Sequence, residues 1–170
     1  EAMRVGAAGN LIMGTIHGAT TQDVYERIVY DIGVPPTSFK AVDAVAIAAP
    51  IRLEGGLDRK RRLLQISEIT KSEWQQTLPS KKIFNDLMSY NSSEDKICST
   101  DLMSMGQSEL IQHIAKKWDI SIEKAIQNIH LRAYIKNKIA KAGKKKPILM
   151  EAESVRDANN QFWQFLEISR

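Results

Sequence analysis

Leu11-Ile12-Met13-Gly14-Thr15-Ile16-His17-Gly18 decides how this chain is read, because a short apolar run with β-branched residues, ending in a polar turn, predicts a strand buried on both faces. Ahead of it, residues 1–9 are helix-compatible, and the pair Gly9-Asn10 tolerates the left-handed backbone of a helix C-cap. Behind it, Thr20 or Thr21 can cap a second helix, with Asp23 and Glu26 favouring the positive end of its dipole. The expected apolar stripe of that helix is Val24, Ile28, Val29 and Ile32. Gly33 closes it and Pro35-Pro36 prevents its continuation. Helix, buried strand and helix in succession predict α/β layering.

Further along, residues 42–52 form a second apolar run of Ala, Val and Ile. A turn, Leu53-Glu54-Gly55-Gly56-Leu57-Asp58, is followed by a basic return segment carrying Leu63, Leu64, Ile66 and Ile69. Two such runs around a glycine-bearing loop predict a β-hairpin. From Thr70 the composition changes, which sets an expected boundary at residues 70 and 71. Thr70-Lys71-Ser72-Glu73 matches a capping box for a short helix that Pro79 interrupts. Residues 83–90 read as strand or short helix, and residues 91–95 as a polar loop. After Gly106 the pattern is helical. Leu110, Ile111, Ile114 and Ala115 share one face; Ile122, Ala125, Ile126, Ile129 and Ala133 repeat the spacing on a second helix. Gly143 and three lysines form a loop, after which Leu149, Ala152, Val155, Ala158, Phe162 and Leu166 line a third helix. Phe162, Trp163 and Phe165 read first as packing residues and second as an exposed patch.

At 170 residues with 43% hydrophobic side chains, the chain can bury a core, so it is read as folded. No apolar stretch approaches the roughly 20 residues that span a bilayer. Glu1-Ala2-Met3-Arg4 lacks a basic segment followed by an apolar one, and it reads as an interior cut. The single cysteine, Cys98, fits a reducing, cytoplasmic setting. Net charge is +4, concentrated in Arg59-Lys60-Arg61-Arg62 and Lys144-Lys145-Lys146. Such runs are more often solvated than bound to nucleic acid, and no aromatic residues interleave with them as in a single-strand platform.

The chemistry centres on His17. It ends the expected strand just ahead of a helix, where open α/β sheets place ligand-binding groups, although a lone histidine in such a turn is more often structural. Gly14, Thr15 and Gly18 add backbone room and a hydroxyl, and the amides near Thr20 and Thr21 begin a helix N-terminus that favours anions, or simply a capped turn.

The stretch from Glu1 to Gly18 resembles the histidine-box region of type II and type IV secretion ATPases, in a form closest to the archaeal branch. Thr15-Ile16-His17 stands where that family carries a Thr-aliphatic-His run. The following helix, the Pro35-Pro36 turn, Ala49-Pro50-Ile51-Arg52 and the basic return segment keep the family order, clearly over residues 1–70 and more weakly beyond. The resemblance implies the C-terminal part of a RecA-like P-loop ATPase sheet over residues 1–70, then a mainly α-helical extension over residues 71–170. It implies a homo-hexameric motor, cytoplasmic and peripheral to the membrane, that uses ATP and Mg²⁺ to drive secretion or pilus or archaellum assembly. Its implied partners are its own subunits and an inner-membrane platform protein, not nucleic acid. His17 would report on the γ-phosphate and Thr15 would support it, because phosphoryl transfer is catalysed by positioning and charge stabilisation.

The departures limit that expectation. Gly-x-x-x-x-Gly-Lys-Ser/Thr occurs nowhere in the chain, and the family's metal-holding acidic motif is absent. Hydrolysis by these 170 residues alone is therefore not expected, and neither is tight nucleotide binding. The alternative is a free-standing helical interaction module without catalytic activity.

Overall fold

The structure is a computed structural model that describes residues 3, 6, 8, 9, 11–53, 56–72, 74 and 83–168. Gly9 takes the left-handed backbone expected of a cap, with φ +90° and its amide on the Gly6 carbonyl at 3.0 Å; most of the preceding helix-compatible stretch lies outside the described residues. The next segment departs from expectation. Residues 11–18 form no strand, and Leu11 and Met13 are 91% and 89% exposed. A strand exists only where a neighbour supplies partners for its N–H and C=O groups, and no described strand lies beside this one. It is an exposed strap.

Helix α1 (Thr21–Glu26) begins at the predicted cap. Thr20 Oγ1 accepts from the Asp23 amide at 3.1 Å, and the Asp23 carboxylate accepts from the Thr20 amide at 3.0 Å. From Arg27 the helix widens into a π turn (Arg27–Asp31), closed by the Ile32 amide on the Arg27 carbonyl at 3.0 Å. The extra residue in that turn rotates the later side chains about the helix axis. Val24 and Val29 of the expected stripe are buried, but Ile32 stands 62% exposed, and Tyr25, outside that stripe, is almost wholly buried. Gly33, at φ +77°, ends the turn. Pro36 then opens a short helix, α2 (Pro36–Phe39), because its fixed φ suits a first helical position.

The predicted hairpin is present. β1 (Ala44–Arg52) pairs antiparallel with β2 (Arg59–Ile69), Ala44 opposite Glu68 and Arg52 opposite Arg59, with a bulge between Ile47 and Ala48. Of the connecting turn, Glu54 and Gly55 lie outside the described residues, and the Gly56 amide bonds the Leu53 carbonyl at 2.9 Å. β3 (Phe84–Asn91), where the sequence allows strand or helix, and β4 (Lys96–Ser99) continue the sheet in the order β1-β2-β3-β4. The fold thus mixes helices with one sheet. Its pairings are all antiparallel, whereas a RecA-like sheet is built on parallel strands. β2 and β3 pair across the expected boundary at residues 70 and 71. The compact units are Glu1–Ile122 and Glu123–Arg170. Lys71 and Ser72 are not helical, and the rest of the short helix expected there lies outside the described residues, apart from Trp74, which is not helical either.

Alternation along β2 sends successive side chains to opposite faces and so builds two layers. On one face Ser67 bonds the Thr21 hydroxyl at 3.0 Å, and Ile69 joins Tyr25, Val29 and Phe39 in the core. Tyr25 meets Phe39 edge-on at 5.0 Å between ring centroids. On the other face Glu68 is fully buried. Its carboxylate accepts from the Ser108 hydroxyl at 2.6 Å and the Leu110 amide at 3.0 Å, which satisfies the first turn of α4 (Glu109–Trp118). A four-residue helix, α3 (Asp101–Ser104), capped by Thr100, comes just before it.

In the second unit lie most of α5 (Ile122–Gly143), a 3₁₀ turn (Pro147–Met150) and α6 (Ala152–Ile168). Gly143, expected in a loop, is the last residue of α5. The Arg132 guanidinium lies over the Phe162 and Trp163 rings at 5.8 and 5.3 Å, and Phe162 is buried. Phe165 faces solvent. Among the described residues no helix is long and apolar enough to cross a membrane.

Candidate functional site

The strap reaches α1 through Gly18. A Cβ there would sit 2.8 Å from Val24 Cγ2 and 3.2 Å from the Val24 amide nitrogen, so only glycine lets the backbone pass this close to the first turn. Two side chains then hold the strap down. Asp23 accepts from the Ala19 and Thr20 amides, both at 3.0 Å, and Arg27 Nη1 donates to the His17 carbonyl at 3.1 Å. Arg27 is itself aligned by Asp31, one helical turn on, at 3.7 Å. The result is a backbone pinned from the His17 carbonyl to Thr20 and a His17 side chain left exposed.

His17, Asp23, Glu26, Arg27, Tyr30 and Asp31 line an open concavity of about 480 Å³. Thr15 does not line it; it stands exposed in the strap, so the two predicted site residues share a segment but not a surface. The hydrogen bond from Thr20, with the amide of Ala19, holds the Asp23 carboxyl below the usual carboxylate range. Those bonds change part of the expected chemistry: the Ala19 and Thr20 amides just ahead of α1 are already taken by Asp23, which sets a carboxylate where an anion was expected. Glu26 accepts from Gln22 Nε2 at 2.9 Å and Asp31 faces Arg27, while the exposed His17 and Tyr30 side chains also line the concavity. Three carboxylates against one guanidinium do not suit ATP or its phosphates, so these residues do not make a nucleotide site by themselves. Among the described residues no group of three or more His, Cys, Asp or Glu side chains is arranged to hold a metal ion.

The supporting residues are only half visible in the sequence. Asp23 is legible as a first-turn acid, but its grip on the strap is not. Arg27 carries a faint signal, a basic residue four positions ahead of Asp31. Compared with protein-family models and with curated proteins, the chain matches none.

Proposed function

We propose that this chain is the C-terminal part of a hexameric motor ATPase of the secretion and type IV pilus or archaellum class, archaeal branch. In this reading His17 reports on a γ-phosphate that the rest of the motor holds. The observation that carries it is the strap: Arg27 holds the His17 carbonyl, Gly18 lies against Val24 and Asp23 holds the Ala19 and Thr20 amides, while the imidazole stays open to a group brought from outside these residues. A fixed, exposed hydrogen-bonding ring is what sensing a phosphate by position requires. Thr15 is a supporting polar group of the same strap.

On this reading the antiparallel sheet is the late part of a RecA-like domain, and its parallel strands, phosphate-binding loop and metal-holding acid belong to preceding sequence. An apolar strap that has no strand partner among the described residues supports this, because a neighbouring strand would give residues 11–16 the pairing that their composition suits. ATP and Mg²⁺ are then cofactors of the whole motor. Its partners are other subunits and a membrane platform protein, and it works at the cytoplasmic face of the membrane.

The test has two parts. The coding sequence ahead of Glu1 is expected to specify Gly-x-x-x-x-Gly-Lys-Ser/Thr and then an acidic strand motif, within about a hundred residues, the span of one domain. In that longer chain His17→Ala is expected to lower kcat at least roughly tenfold while the hexamer persists. Absence of the loop, or full turnover by the variant, would overturn the reading; so would ATP hydrolysis by the 170 residues alone. A non-catalytic interaction module is the second reading, favoured by the exposed Leu131, Tyr134 and Phe165 of α5 and α6.

A further inference from the structure

The far end of the β1–β2 hairpin carries a separate surface. β3 pairs with β2 from Gln65 to Ile69, so among the described residues the segment from Arg59 to Leu64 has β1 as its partner strand and reaches beyond the third strand as a two-stranded ribbon. Pleating sorts its charges. Arg52, Arg59 and Arg61 share one face, with Pro50 and Leu63; Lys60 and Arg62 share the other, with Ile51. Arg62 is neutralised by a two-toothed pair with Asp95, at 2.6 and 2.7 Å. Arg52, Arg59 and Arg61 are exposed and make no ion pair among the described residues.

Two observations say what this face is for. Arg52 lies directly opposite Arg59, and like charges in that register destabilise a sheet unless an anion covers them. Leu57, in the connecting turn, is 90% exposed, with Glu54 and Asp58 as the turn's only acids. Guanidinium forks match phosphate oxygens, and a leucine protruding beside them can enter an apolar phase, which a bilayer supplies and a nucleic-acid backbone does not.

We propose that the tip of this hairpin docks on an anionic lipid bilayer, with Arg52, Arg59 and Arg61 on headgroup phosphates and Leu57 entering the acyl boundary. The surface stands apart from the His17 site and does not depend on the motor reading.

Co-sedimentation of the 170-residue chain with phosphatidylcholine vesicles, with and without a quarter of phosphatidylglycerol, tests it. The chain is expected to bind the mixed vesicles and hardly the neutral ones. Replacing all three arginines by glutamine should weaken binding roughly a hundredfold, and Leu57→Ser roughly tenfold. Replacing Lys144, Lys145 and Lys146 by glutamine removes the same charge elsewhere and should leave binding intact. Failure of the unaltered chain to bind mixed vesicles overturns the proposal, and so does equal loss in the lysine variant. Binding of duplex DNA instead of vesicles, lost in the arginine variant and kept by Leu57→Ser, would reassign the face to nucleic acid. All these side chains are exposed, so thermal melts should match the parent; if the triple variant melts early, Leu57→Ser alone decides.

Discussion

Leu11-Ile12-Met13 and Val45-Ala46-Ile47 are similar apolar runs, yet the first lies exposed in a strap and the second is hydrogen-bonded into a sheet. Composition is not what separates them. β1 has β2 beside it to take up its backbone groups, whereas residues 11–13 have no strand beside them among the described residues. Burial belongs to a neighbourhood, and a sequence window holds only one of the neighbours.

The contrast is broken most forcefully in the core that the paired region supports. Phe39→Ala removes a ring with no exposed surface, packed between Tyr25 and Trp74, and is expected to cost about 3–5 kcal/mol in urea denaturation. A loss below about 1 kcal/mol would mean that this aromatic cluster is not the core. Glu68→Gln tests the opposite face of the sheet. It turns an acceptor of the Ser108 hydroxyl and the Leu110 amide into a partial donor, at an expected cost of about 2 kcal/mol. Unchanged stability would show that α4 does not depend on that carboxylate.

Smaller effects belong to the strap. Thr20→Ala should cost about 1 kcal/mol, and it should also shift the Ala19 amide resonance, because the Asp23 carboxylate that the cap orients accepts from that amide. A stability loss without that shift would detach the cap from the strap. Leu11→Ser and Met13→Ser should change stability by less than about 0.5 kcal/mol, while Ile47→Ser costs several times that. Equal effects at the three positions would erase the contrast. The smallest effect is set by pH. Hydrogen bonds from Arg62 and Tyr90 hold Asp95 well below the ordinary aspartate range. Its contribution is therefore present above that range and fades as pH falls below about 4, through the depressed value. Acid melts of Arg62→Ala should lose most of this extra fall, since the largest cause of the depression at Asp95 is then gone; an unchanged acid slope would exclude the pair as its source.

Legibility in the sequence divides along the same line. The hairpin is legible, because both strands and their turn lie within one local stretch and each run selects its partner. So is the cap at Thr20, since capping chemistry is settled within four residues. Ile32 leaves the predicted buried stripe because that stripe assumes 3.6 residues per turn through a segment that inserts one more, whereas Tyr25, ahead of that segment, is buried among Phe39, Trp74 and Phe84. β4 leaves almost no trace: four residues beside a polar loop carry little periodicity. Glu68 is hidden as well, because a carboxylate in a strand reads as a solvent-facing position until the helix it caps is in place. At the site, His17 is marked by its place at the end of an expected strand and, with Thr15, by the Thr-Ile-His resemblance, and the grip of the residues that hold the strap comes only from the three-dimensional arrangement.

The π turn from Arg27 to Asp31 makes residue counting along this stretch consequential. Removing one amino acid there would restore an ordinary α-helical pitch and swing every later side chain by about 100° around the axis. Arg27 and Tyr25 precede most of that swing, but the passage through Gly33 and Pro36 into β1 would leave on a different bearing. The spacing between the strap and the sheet is therefore tuned by a single inserted residue, and indels here should be tolerated far less well than in the turn that carries Leu57.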